Sequence, residues 1–119
     1  MLELIAWLIL ALVHLMPALA FFIPSLLTKL YGIAPGNALF LLMHHRAALF
    51  VAIFVICVWS AFDATPRRMA SVAVAISMVS FVALYWLQGA PSALRQIAIV
   101  DIIGLPALAY VGWRAFTLN

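Results

Sequence analysis

The residues of this chain that could do chemistry are few, and they stand inside apolar sequence. His14, the run His44-His45-Arg46, Ser77, Ser80 and Asp101 are each flanked by long stretches of Leu, Ile, Val, Ala, Phe and Met. An ionisable group inside a membrane span is costly, so it faces the bundle interior or a cavity and marks a candidate site. Counting along the chain brings these residues to one depth. Arg46 lies nine residues beyond Asn37 and Asp101 nine beyond Ser92, both candidate helix caps, so each sits roughly 13 Å into its helix at 1.5 Å per residue. His14 lies about nine residues before the end of the first apolar stretch, and Ser80 nine before Gly89.

An arginine and an aspartate at matching depth in hydrocarbon predict an Arg46–Asp101 ion pair or short hydrogen-bond chain facing inward. His14 and one of His44 and His45 would complete the layer. Adjacent helical residues point about 100° apart, and His45 shares a face with Leu41, Leu49 and Ala52, which makes it the inward candidate. Pro17 and Pro106 lie beside His14 and Asp101, where they free backbone carbonyls that a cavity could tolerate.

The elements that must position these groups are four apolar stretches, about 2–23, 38–61, 69–88 and 93–113, each long enough to cross a bilayer. They predict an all-α integral membrane protein, one domain over 1–119. Short connections favour an antiparallel up-down-up-down four-helix bundle. Ser25 to Gly36 reads as a short amphipathic turn in the interface, ended by Gly32, Pro35 and Gly36. Gly89 suits the cap of the third helix and Ser92 that of the fourth. Trp7, Trp59 and Trp113 fall toward one side, and Tyr31, Tyr85 and Trp86 toward the other, as interfacial belts do. Arg67, Arg68 and Arg114 on the first side, against Lys29 and Arg95 on the second, favour cytoplasmic termini. Ala18-Leu19-Ala20 has the form of a signal-peptidase site, but Glu3 stands where a signal peptide is basic, so the segment reads as a retained span.

Composition supports the same class. The 119 residues are 70% hydrophobic and 8% charged, too apolar for a soluble domain that must cover itself with polar surface. The net charge of +3 forms no basic patch, so no nucleic-acid partner is expected. The single cysteine, Cys57, has no internal disulfide partner and reads as a small buried hydrophobe.

The polar layer predicts a pocket for a small amphipathic ligand, a lipid, quinone or hydrophobic metabolite. Arg46 would hold an anionic or carbonyl group, His45 and His14 would donate or relay protons, and Asp101 would orient Arg46, with Ser77 and Ser80 on the facing helix. Three alternatives stay open. A buried ion pair can simply fix helix register, and small polar residues are ordinary packing contacts between membrane helices. The chain could be an accessory or assembly subunit of a larger membrane complex or a homo-oligomer, using the stripe Ala70, Ala73, Ser77 and Ser80. Haem or copper could bind through His14 and His45, with Met16 and Met43 nearby, although the guanidinium beside His45 opposes a cation and no metal site is expected. A transporter is disfavoured because the chain is too short for paired repeats.

Leu30-Tyr31-Gly32, His45-Arg46-Ala47 followed by Leu49-Phe50, and Asp101 in the last span resemble a family. It is a small bacterial four-span membrane protein family of unknown function whose members often carry the name phosphopantetheine adenylyltransferase. The resemblance implies four spans in a bacterial cytoplasmic membrane. The family's usual stretch looks like Leu-Arg-His-Arg-Ala, and this chain has His44 where that stretch has an arginine. The enzyme name does not suit the residues: a nucleotidyl transferase needs a parallel sheet, a glycine-rich phosphate turn and a histidine motif at a helix N-terminus, and none is legible here.

Overall fold

The computed structural model of the chain describes residues 1–117; residues 118 and 119 of the expected domain lie outside the described residues. It is all-α: α1 Leu2–Phe22, α2 Ser25–Tyr31, α3 Ala38–Phe62, α4 Arg67–Leu87 and α5 Arg95–Thr117, with no strand among the described residues. Helices α1, α3 and α4, and α5 with the 3-10 turn Ser92–Leu94 ahead of it, are long and apolar enough to span a membrane. This is a membrane protein by the length and composition of its helices.

Local signals set most of the ends. The Asn37 side chain accepts from the Leu39 N–H at 2.9 Å and starts α3. Gly32, with φ +68, ends α2. Gly89, with φ +85, ends α4 in a Schellman turn: the Gly89 N–H reaches the Trp86 carbonyl at 3.2 Å and the Ala90 N–H the Tyr85 carbonyl at 2.9 Å. Ser92 differs from expectation. It makes no capping bond and sits in the 3-10 turn Ser92–Leu94, so α5 starts at Arg95.

Helix α1 is the most buried of the four spans and the centre of the packing. It lies along α3 on one side and α5 on the other, and α5 carries α4. The core between them holds Trp7, Leu10, Cys57, Val74, Met78, Leu108 and Val111. A second small core, Ala20, Leu27 and Ala47, seats α2 against the ends of α1 and α3. Gly104 lets α5 approach closely: an added Cβ would stand 2.9 Å from Met78 Cε and 3.0 Å from Val13 Cγ2. Helices α3 and α4, although joined by the short turn 63–66, touch each other least among the neighbouring spans. Two of the expected belt residues are corrected. Trp7 is fully buried and Tyr85 is 8% exposed, because both face the core, whereas Trp59, Trp86 and Trp113 are exposed.

Candidate functional site

The open side between α3 and α4 is a seam with cavities along its length. Near the 63–66 turn a cavity of about 250 Å³ is lined by Ile56, Trp59, Pro66, Met69, Ala70 and Ala73. The middle cavity, about 430 Å³, shares Ala73 with it and includes Arg46, Phe50, Ile53, Ser77, Ser80 and Phe81. A third, about 390 Å³, shares Arg46 and Phe81 with the middle one and reaches Tyr31, Met43 and Leu94. Apart from Arg46, Tyr31 and the two serines the walls are apolar.

Arg46 stands where the second and third cavities meet. Its Nη1 donates to the Tyr31 hydroxyl at 3.2 Å, and its guanidinium lies 4.5 Å from the Phe50 ring centre and 5.7 Å from that of Tyr31. The expected Arg46–Asp101 ion pair is not formed: the ion pairs among the described residues are Glu3–Arg67 and Glu3–Arg114. Arg46 is turned onto the two aromatic rings, and its charge acts on Asp101 only from beyond ion-pair distance. Asp101 is half-buried and lines a separate groove of about 280 Å³ between α1, α2 and α5, with Lys29, Gln96 and Pro17.

The histidines divide differently from expectation. His45 is exposed on the outer face of α3 with Leu41 and Leu49, because the inward stripe of this helix runs through Ala47, Cys57 and Ala61. His14, by contrast, is buried, so the structure does not gather the two histidines expected as a pair into one buried site. No group of three or more His, Cys, Asp or Glu side chains placed to hold a metal ion occurs among the described residues. His44 Nε2 donates to the Phe21 carbonyl at 2.9 Å, tying α3 to the end of α1. His14, 2% exposed, lies 5.8 Å from the Phe50 ring and meets Ser77 Oγ through Nε2 at 3.3 Å. Ser80 is exposed to the seam and donates back to the Ile76 carbonyl. The structure thus brings Arg46, Phe50, His14 and Ser77 into one chain of contacts across α3, α1 and α4, and leaves His45 and Asp101 out of it.

Sequence reasoning passed over two groups. Tyr31, which takes the Arg46 hydrogen bond, is legible in the sequence as an interface aromatic and as part of the Leu30-Tyr31-Gly32 motif, but not as a partner of Arg46. The other is Glu3, which accepts from Arg67 Nη1 at 2.8 Å and from Arg114 Nη2 and Nε at 2.9 and 3.1 Å. Arg67 also donates to the Ser60 carbonyl at 2.7 Å, and Arg68 to that of Ala115 at 3.2 Å. These contacts gather the starts of α1 and α4 with the ends of α3 and α5. The signal was present: the lone acid of the first span lies on the side that the charge count gives to three arginines.

Comparison with protein-family models, with curated proteins and with solved structures finds no match to this chain.

Proposed function

We propose that the protein binds an acidic amphipathic molecule, its chain laid along the α3/α4 seam and its acid group at Arg46. The observation that carries the reading is the placement of Arg46, a cation inside a span, without an ion pair and shared by two adjoining apolar cavities. Within a bilayer, burying a hydrocarbon chain against protein gains little over burying it in lipid. Selectivity must then come from the head group. A guanidinium in a low-dielectric setting favours a carboxylate or phosphate oxygen through charge-assisted hydrogen bonds. In this reading the spans alternate in direction across a bacterial cytoplasmic membrane, with the Arg67, Arg68 and Arg114 end inside.

One observation favours a second reading, an accessory subunit. The small-residue stripe Ala70, Ala73, Ser77 and Ser80 lines the same seam, where a helix of a partner could pack.

Native mass spectrometry of the gently solubilised chain, wild type beside Arg46→Ala, tests both. An arginine inside a span costs about 3 kcal/mol, of which the Tyr31 hydroxyl and the two aromatic rings offset a part, so an anion that neutralises it should bind at least about 10-fold more tightly to the wild type than to the variant. A retained fatty acid or anionic lipid that disappears with Arg46 supports the first reading. A wild-type chain with an empty seam refutes it, and one holding a second polypeptide there replaces it with the subunit reading.

A further inference from the structure

His14 and Ser77 do more than satisfy one another. His14 Nδ1 lies 2.8 Å from the Leu10 carbonyl oxygen. A carbonyl oxygen only accepts, so Nδ1 carries the proton, and in the neutral ring Nε2 keeps its lone pair. Nε2 is 3.3 Å from Ser77 Oγ, so the hydroxyl donates and the ring accepts. An imidazole fixed through Nδ1 by a backbone carbonyl and aimed through Nε2 at a hydroxyl has the base-to-nucleophile relation of acyl-transferring serines. The separation is slightly long for such a bond, as is common before a substrate closes the geometry.

The surroundings give the pair a direction. His14 sits behind the serine, 2% exposed and packed on Phe50. Ser77 is half-buried and lines the middle cavity of the seam, the one that also contains Arg46. Ser77 therefore borders the seam while its proton acceptor is shielded from it. Ser80, one turn away in the same cavity, has no histidine and bonds only backbone carbonyls.

We propose that Ser77 is an acyl-accepting nucleophile and His14 its general base, acting on the carboxylic ester or thioester of an amphipathic molecule in the seam. The proposal rests on the seam-binding reading above. Ser77 Oγ attacks the acyl carbonyl carbon as His14 Nε2 takes the hydroxyl proton. The bond from that carbon to the leaving alcohol or thiol then breaks, and His14 returns the proton to the leaving oxygen or sulfur. The acyl group remains on Ser77 as an ester until water or a second alcohol attacks it, the proton again passing through His14. Arg46 holds the acidic group of the same molecule.

The test is labelling of the full solubilised chain with a long-chain alkyl fluorophosphonate, with the adduct located by peptide mass spectrometry. Ser77 Oγ forms the P–O bond, fluoride leaves, and the proton follows it through His14. One adduct per chain on Ser77 is expected, absent in Ser77→Ala. In His14→Gln the labelling rate should fall by about 100-fold or more, the scale of general-base assistance. Should His14→Gln not fold, Ser77→Cys gives the second readout. The thiol at position 77 should be alkylated by a hydrophobic haloacetamide far faster than the buried Cys57, since a neighbouring imidazole favours the thiolate. A wild-type chain that retains an acidic amphiphile but takes no adduct, or takes it on Ser80, overturns this proposal and leaves the seam reading intact. A chain that neither retains an amphiphile nor takes an adduct overturns both.

Discussion

Replacing Glu3 by Gln should loosen the whole bundle from one end. The carboxylate accepts from Arg67 at 2.8 Å and from Arg114 at 2.9 Å, with side-chain exposures of 16% for Glu3, 14% for Arg67 and 34% for Arg114. At an effective dielectric constant near 20, each contact contributes roughly 4 kcal/mol of gross attraction at about 4 Å between charges. Desolvation and the mutual repulsion of the arginines offset much of that. Removing one partner of a mostly buried pair typically costs about 3–5 kcal/mol, and residual exposure lowers the figure here to about 2–3 kcal/mol. Glutamine keeps the shape of the side chain, so the loss isolates the charge. Arg67→Ala should cost more than Arg114→Ala, because Arg67 also holds the Ser60 carbonyl at 2.7 Å whereas Arg114 is the more exposed arm, worth about 1 kcal/mol. The assay is equilibrium unfolding of the purified chain in mixed micelles, with a Glu3→Gln/Arg67→Gln double-mutant cycle. A Glu3→Gln cost below about 0.5 kcal/mol would refute the reasoning, as would a larger loss for Arg114 than for Arg67.

Further outcomes follow from other contacts. Gly104→Ala should destabilise by about 1–3 kcal/mol because Val13 and Met78 must move, while Gly112→Ala, with nothing within 4 Å, should be neutral or gain up to about 1 kcal/mol; the reverse order in the same assay would contradict the packing. Ser60 Oγ and Trp7 Nε1 are buried without a hydrogen-bond partner, so Ser60→Ala should be neutral or stabilising by up to about 1 kcal/mol, and a clear loss would show that the hydroxyl is bonded. Asp63, in the turn between α3 and α4, is held below the ordinary carboxylate range, first by the Thr65 backbone N–H and then by the Thr65 side chain and the Trp59 indole. Its ionised form then supports the turn above that range and loses this role only as pH falls through its lowered value. A carbon-detected NMR titration should place its midpoint below that of free aspartate, and a midpoint at or above it would remove the turn contacts.

Depth was easier to read from this chain than direction. Hydropathy gave the spans to within a few residues at most ends, and Asn37 and Gly89 marked helix ends through chemistry that any helix would use. The rotation of α3 was not legible. In water a helix shows its core side by contrast with a polar face, but here Leu41 and Leu49 on the outside are as apolar as Ala47 and Cys57 on the inside. With no contrast to fix the phase, the apolar neighbours of His45 predict an inward side chain, whereas Leu41, His45 and Leu49 are all exposed. The Arg46–Asp101 pair failed for a related reason. Counting along two helices places charges at one height, but Arg46 found Tyr31 and Phe50 closer than Asp101, and aromatic partners for a cation leave no charge pattern in the sequence. His14 and Ser77 meet where the core side of α1 faces the seam side of α4.

The acid that gathers one end of the molecule also orders its making. Glu3 belongs to the first helix, and its partners Arg67 and Arg114 lie 64 and 111 residues later. At about 5–20 residues per second, a ribosome that has finished residue 3 reaches residue 114 some 6–22 s later. For that interval α1 carries a carboxylate without its cations, and the last span must enter the membrane before both are in place. The nascent chain must therefore hold its first helix with Glu3 at the water boundary, and it gains its final grip only when its last helix arrives.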